Sequence, residues 1–207
     1  MIVAGFGAFG KIPSLGDFFR INVSSDFVRP WDQWLQMGLS NVRNSLGEDW
    51  QACYMSAPIW RFTLSPALAG QNAAMGVLMP SVDRVGRAFP LTLVTPIALL
   101  TEVSEAHLSA TATFEELELV ALDALEDSMT TEALSTRLSA IPLVGEGPQA
   151  SPKSRDISPT SVWSARLDED TRTIRCSGLP DECEMEGLFN LEAAIWNTND
   201  QRIGAQT

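Results

Sequence analysis

Apolar residues along this chain recur at two different periods. From Ser25 to Leu46, Trp31, Trp34, Leu35, Gly38, Val42 and Leu46 return every three or four positions, which predicts an amphipathic helix. Pro30 suits its first turn, and Gly47 is placed to end it. A shorter helix is expected over residues 48–57, closed by Pro58. Three β-rich apolar runs follow: IWRFTLS from Ile59, AAMGVLMP from Ala73 and PLTLVTPIALL from Pro90. The connector between the first two is short enough for a hairpin, whereas a parallel pairing would need a crossover, so the neighbours are expected to run antiparallel. Residues 2–9 are apolar or glycine before Pro13 and Gly16 break the pattern, which reads as a short strand entering a turn-rich loop.

Further along, Thr113 and Glu116 have the spacing of a capping box, followed by Leu117, Ala121, Leu122 and Leu125 on one face. A second helix is expected from about Glu132 to Ala140. Residues 142–160 carry Pro142, Pro148, Pro152 and Pro159 among glycines and serines, the composition of a flexible loop. SVWSARL and TRTIRCSG then alternate around a polar DED turn, a hairpin signal, and a short terminal helix follows. The expected fold is α/β: one domain over residues 1–207, with a mainly antiparallel central sheet of about five strands and helices packed on it.

Composition narrows the function. With 45% hydrophobic and 19% charged residues over 207 positions, the chain is expected to fold around one core. The formal charge of -12 opposes nucleic acid and anionic membrane as partners. No apolar run approaches the ~20 residues of a membrane helix and no secretory signal opens the chain, so a cytoplasmic protein without membrane insertion is expected. Cys53, Cys176 and Cys183 are widely spaced and odd in number, which fits reduced, mostly buried thiols. The acids concentrate between Thr101 and Ala140, where an acidic face is expected.

Gly5, Gly7 and Gly10 match the G-x-G-x-x-G spacing of a dinucleotide loop, but that loop needs a helix to begin at its last glycine. Pro13 and Gly16 follow instead, so no nucleotide cofactor is expected. His107 is the single histidine, and its polar surroundings read as surface. One histidine and three scattered cysteines give no zinc spacing. Trp31, Trp34, Trp60 and Trp163 fall at helical or strand spacing that favours the core.

Two segments are richer in particular residue types than a plain core requires. One holds Pro13, Ser14, Gly16, Asp17 and Phe18; the other holds Ser81, Asp83, Arg84, Gly86 and Arg87. Pro and Gly set turns, Ser and Asp bond loop amides, and Arg84 or Arg87 could neutralise Asp17 or Asp83 in a fork that clips the loops together. The same loops are also candidates for contact with a partner.

GKIPSLGDF, FVRPWDQWLQMGL, APIWRFTLSP and GVLMPSVDRVGRAFPLTLV, in that order, resemble the N-terminal family of TagF, associated with bacterial type VI secretion. SVWSARL and CSGLPDECEMEGLFNL are similar to the family's weaker C-terminal part. The resemblance implies a cytoplasmic post-translational repressor rather than a catalyst, acting through the forkhead-associated scaffold protein Fha, on a longin-like or profilin-like arrangement. On that reading an acidic helix from Phe114 to Ser128, with Glu115, Glu116 and Glu118, is the candidate interface for a basic face of Fha. The alternative is an enzyme or small-molecule sensor using the Ser14/Asp17 and Ser81/Asp83/Arg84/Arg87 loops as a polar pocket.

Overall fold

The computed structural model describes residues 5–99, 101–142, 159–168 and 170–197. All but the two ends of the expected flexible loop at 142–160 therefore lie outside the described residues. Among the described residues seven strands form one sheet: β1 (Gly7–Gly10), β2 (Phe19–Ile21), β3 (Trp60–Leu64), β4 (Ala73–Met79), β5 (Leu91–Ile97), β6 (Ser161–Leu167) and β7 (Asp170–Cys176). Their order is β2-β1-β5-β4-β3-β6-β7, and every neighbouring pair is antiparallel. The fold is α/β with an antiparallel sheet, as expected. The sheet has seven strands rather than about five. One strand beyond expectation is β2, three residues long, which the sequence hides inside the turn-rich loop.

Among the described residues these helices pack on the sheet: α1 (Ser25–Leu46), α2 (Trp50–Ser56), α3 (Val103–Ser109), α4 (Thr111–Asp123), α5 (Thr131–Ala140) and α6 (Glu182–Phe189). They cover both faces, which is why β3 and β4 are buried along their whole lengths. Residues of β4 divide between the two layers. Ala74 and Leu78 join α1 and α6, while Met75, Val77 and Met79 face α4 and α5.

The helix α1 keeps its expected limits. Ser24 caps it by accepting from the Phe27 N–H at 3.3 Å, and Gly47 ends it. Pro30 lies inside the helix rather than in its first turn. The inward face centres on Trp31, which is fully buried against Phe27, Trp34, Phe62 and Trp163 and donates its indole N–H to Thr92 Oγ1 at 2.9 Å. The tryptophans expected in the core are there: Trp31, Trp60 and Trp163 are fully buried, and Trp34 is packed against the same cluster.

Three local expectations are corrected. α4 starts at Thr111, so Thr113 lies within the first turn and forms no capping box; the preceding α3 runs directly into it through Ala110. α3 itself was hidden by a polar stretch whose only inward positions are Val103 and His107. Of the cysteines only Cys176 is buried, Cys53 being half-buried and Cys183 exposed; all three are free.

Candidate functional site

The two distinctive loops converge at one end of the sheet. β1 ends at Gly10, whose φ of 133° and close approach to Pro90 admit no side chain: a Cβ there would lie 2.1 Å from the Pro90 carbonyl oxygen. The glycine of the apparent fingerprint thus ends a strand, and no helix follows it.

Chain entering the first loop presents Lys11, and chain leaving β4 presents Asp83. Asp83 is the hub. Its Oδ1 accepts the backbone N–H groups of Val85 (3.1 Å) and Arg87 (2.9 Å), while its Oδ2 accepts Lys11 Nζ at 2.9 Å and Arg87 Nε at 2.6 Å. The carboxylate side chain is fully buried and Lys11 nearly so. Burial pushes the Asp83 carboxyl up, but these four bonds outweigh burial and hold it well below the usual carboxylate range.

Arg87 then reaches across to donate through Nη2 to the Gly16 carbonyl at 2.7 Å, and the Arg84 N–H donates to the Leu15 carbonyl at 2.8 Å. Gly86, at φ 80°, turns the second loop back so that Val82 and Ala88 pair. The expected fork is present between Arg87 and Asp83. It does not include Asp17, whose Oδ1 accepts the neighbouring Phe18 N–H at 2.8 Å.

Phe18 and Phe89 meet edge to face at 4.7 Å between ring centroids, each about 6 Å from Phe9, and Lys11 Nζ stands 4.8 Å from the Phe18 ring centre. Aromatic rings therefore fill the space where the loops meet. Tyr54 secures the second loop from below: its hydroxyl donates to the Ser81 carbonyl (2.8 Å) and accepts the Ser81 N–H (3.0 Å), and burial pushes its phenol up. Among the described residues the buried side-chain hydroxyls of Ser14 and Ser81 have no hydrogen-bond partner. Pro13 and Ser14 form the turn before Leu15. Lys11 and Tyr54 were not among the sequence candidates. Lys11 could have been found as a lone cation between a strand end and a proline turn, but Tyr54 has no local signal.

The candidate acidic helix is less uniform than its sequence implies. Glu118 turns inward to make a bidentate pair with Arg61 of β3, at 2.6 and 2.8 Å. Glu115 bonds Arg166 at 3.0 Å on the surface, and Asp123 bonds Arg137 of α5. Glu116 is left outward, on a helix that also exposes Leu119 and Leu122, with Leu125 just beyond its end. Glu118 is thus an internal counter-charge, not part of an exposed face.

His107 is a second correction. It is buried between sheet and α4, with Nδ1 3.0 Å from Thr63 Oγ1 and Nε2 2.8 Å from Ser164 Oγ. Burial, aided by the positive charges of Arg61 and Arg175, pulls its pKa down to about 4. The signal for this lay in its spacing from Val103 on one helix face.

Among the described residues no group of three or more His, Cys, Asp or Glu side chains is arranged to hold a metal, and no helix is long and apolar enough to cross a membrane. The features defined so far are those of an antiparallel α/β protein with two interlocked loops at one sheet end. The chain belongs to the TagF N-terminal domain family, type VI secretion system-associated, whose model matches residues 7–141. Among solved structures it is similar to PA0076 from Pseudomonas aeruginosa PAO1, with 28% identity and a TM-score of 0.79 over 91% of this chain and 95% of that one. No curated protein matches.

Proposed function

We propose that this type VI secretion-associated protein is a non-catalytic cytoplasmic regulator that represses secretion by binding a scaffold component, the forkhead-associated protein Fha. The observation that carries the reading is the family match over residues 7–141, which includes both interlocked loops and α4. Two features of the molecule support it. Lys11 and Arg87 both pair with Asp83, an arrangement that suits a clip between the loops better than free catalytic groups. The outer side of α4 offers what a protein partner uses, exposed Leu119 and Leu122 beside Glu116.

In this mechanism the leucines supply apolar contact and Glu116 steers a basic face of Fha, while Glu118 holds the helix to β3 through Arg61. The test is a calorimetric titration of the full chain against Fha from the same organism at two salt concentrations. Saturable binding that weakens with salt, and that falls at least about tenfold in the double variant Glu116→Lys, Leu122→Ser, is the expected result. Binding unaltered by that variant would remove α4 from the interface, and no binding at either salt would remove Fha as the target.

A further inference from the structure

The sheet half built from β3, β6 and β7 has one apolar face and one that is not. Strand alternation sends Trp60, Phe62, Trp163, Ala165 and Ile174 toward α1 and α6. The register sets Arg61 opposite Ser164, Ser164 opposite Thr173, and Val162 opposite Arg175, so the other face carries arginines and hydroxyls. α3 and α4 cover part of it. What remains open is a cleft of about 300 Å³ lined by Arg61, Arg166, Arg175, His107 and the hydroxyls of Ser104 and Thr173, among others.

Three arginines gather here in a chain that carries only 14 Lys and Arg against 26 Asp and Glu. Arg61 is buried, and its pair with Glu118 ties α4 to β3. That pair gives no reason for Arg166 and Arg175 to line the same cleft. Its charges are also unequally matched. Glu118 answers Arg61 and Glu115 answers Arg166, whereas among the described residues Arg175 is within salt-bridge distance of no carboxylate and donates through Nε to the Ser104 hydroxyl at 3.4 Å. His107 lies at the back of the cleft, its ring bonded on both sides by Thr63 and Ser164 and neutral near pH 7.

We propose that this cleft binds a phosphate-class oxyanion, free or borne by a small phosphorylated molecule, with Arg175 and Arg166 engaging it at the mouth and the cleft hydroxyls donating to its remaining oxygens. Guanidinium groups pair with such oxyanions through two parallel N–H bonds, and the hydroxyls supply donors that a lone arginine pair lacks. The cleft borders α4 through Thr111 and Phe114 but does not include Glu116, Leu119 or Leu122, and it stands whether or not Fha is the partner.

The single histidine makes the test direct, because the untagged full chain has one imidazole ring, whose Cε1–H gives one signal in a proton–carbon NMR spectrum. Inorganic phosphate, glycerol 3-phosphate and acetate are titrated at constant ionic strength, on the natural chain and on Arg175→Gln and Arg166→Gln, whose positions at the surface leave the core intact. Saturable movement of the His107 signal with phosphate or glycerol 3-phosphate but not acetate, weakened about tenfold or more in Arg175→Gln, is expected. Saturation by both phosphates supports a site for the free ion, and saturation by the ester alone supports a phosphorylated molecule. Bound anion also raises the midpoint of His107 titration, which a merely structural arginine would not do. Non-saturating movement equal for all three anions, or saturation unaltered in both variants, would overturn the proposal.

Discussion

At the scale of single residues, two buried ionisable groups make stability depend on pH in separate windows. His107 has a folded pKa of about 4 against 6.5 for a free imidazole, so between these values the unfolded chain binds the extra proton. Stability is then present above about pH 6.5 and is lost as pH falls toward 4. Urea unfolding at pH 7 and pH 4.5 should show this loss in the natural chain and a smaller one in His107→Gln, whose amide keeps the reach to Thr63 and Ser164. Asp83 acts lower. Its folded carboxyl lies below the ordinary value of 3.8, so its contribution holds above about pH 4 and disappears as acid protonates it. Asp83→Asn should be less stable than the natural chain at pH 7, where Lys11 loses its carboxylate, and should show a shallower fall in stability below pH 4. Equal slopes in acid would show that Asp83 is not the group responsible.

Elements differ in how openly the sequence announces them. α1 was legible to its end residues because helical spacing of large apolar residues and a terminal glycine agree, and the structure adds the Ser24 cap to them. Its central anchor gives a prediction. Trp31→Ala removes a fully buried indole and should destabilise by ~3–5 kcal/mol in chemical denaturation, whereas Trp31→Phe, which keeps the ring and strands the Thr92 hydroxyl, should cost less. Other elements were partly hidden. β2 is too short to show alternation, and α3 has one inward apolar residue and one inward histidine. The start of α6 was readable in principle: Asp181 and Glu184 form a reciprocal capping box, with bonds of 2.9 and 3.0 Å. The β6–β7 hairpin was visible from its alternation. That its polar positions would meet Arg61 and His107 was not, because those residues stand some distance away along the chain and only the sheet order brings them together.

For the whole molecule, sheet order matters more than any one loop. The family model stops at residue 141, yet β6, β7 and α6 extend the same sheet from β3 and close the core around Trp31 and Trp60. A fragment ending at residue 141 would leave β3 as a bare edge and uncover Phe62 and Trp31. Such a fragment should aggregate or melt without cooperativity, as read by sedimentation and circular dichroism; a sharp transition near that of the full chain would show that the matched segment folds alone. The candidate loops were half-readable at this scale. Composition pointed to Asp83 and Arg87, but Lys11 and Tyr54 join them only through the fold.

Repression as proposed works by occupying a target, not by turning one over. Mass action then requires repressor at or near the amount of its target. The most direct measurement is effector release by the type VI machine as the level of this protein is raised stepwise against a fixed, quantified level of Fha. Release is expected to fall in proportion and to end near equal amounts of the two proteins. Full repression at a few per cent of the Fha level would contradict it and indicate catalysis.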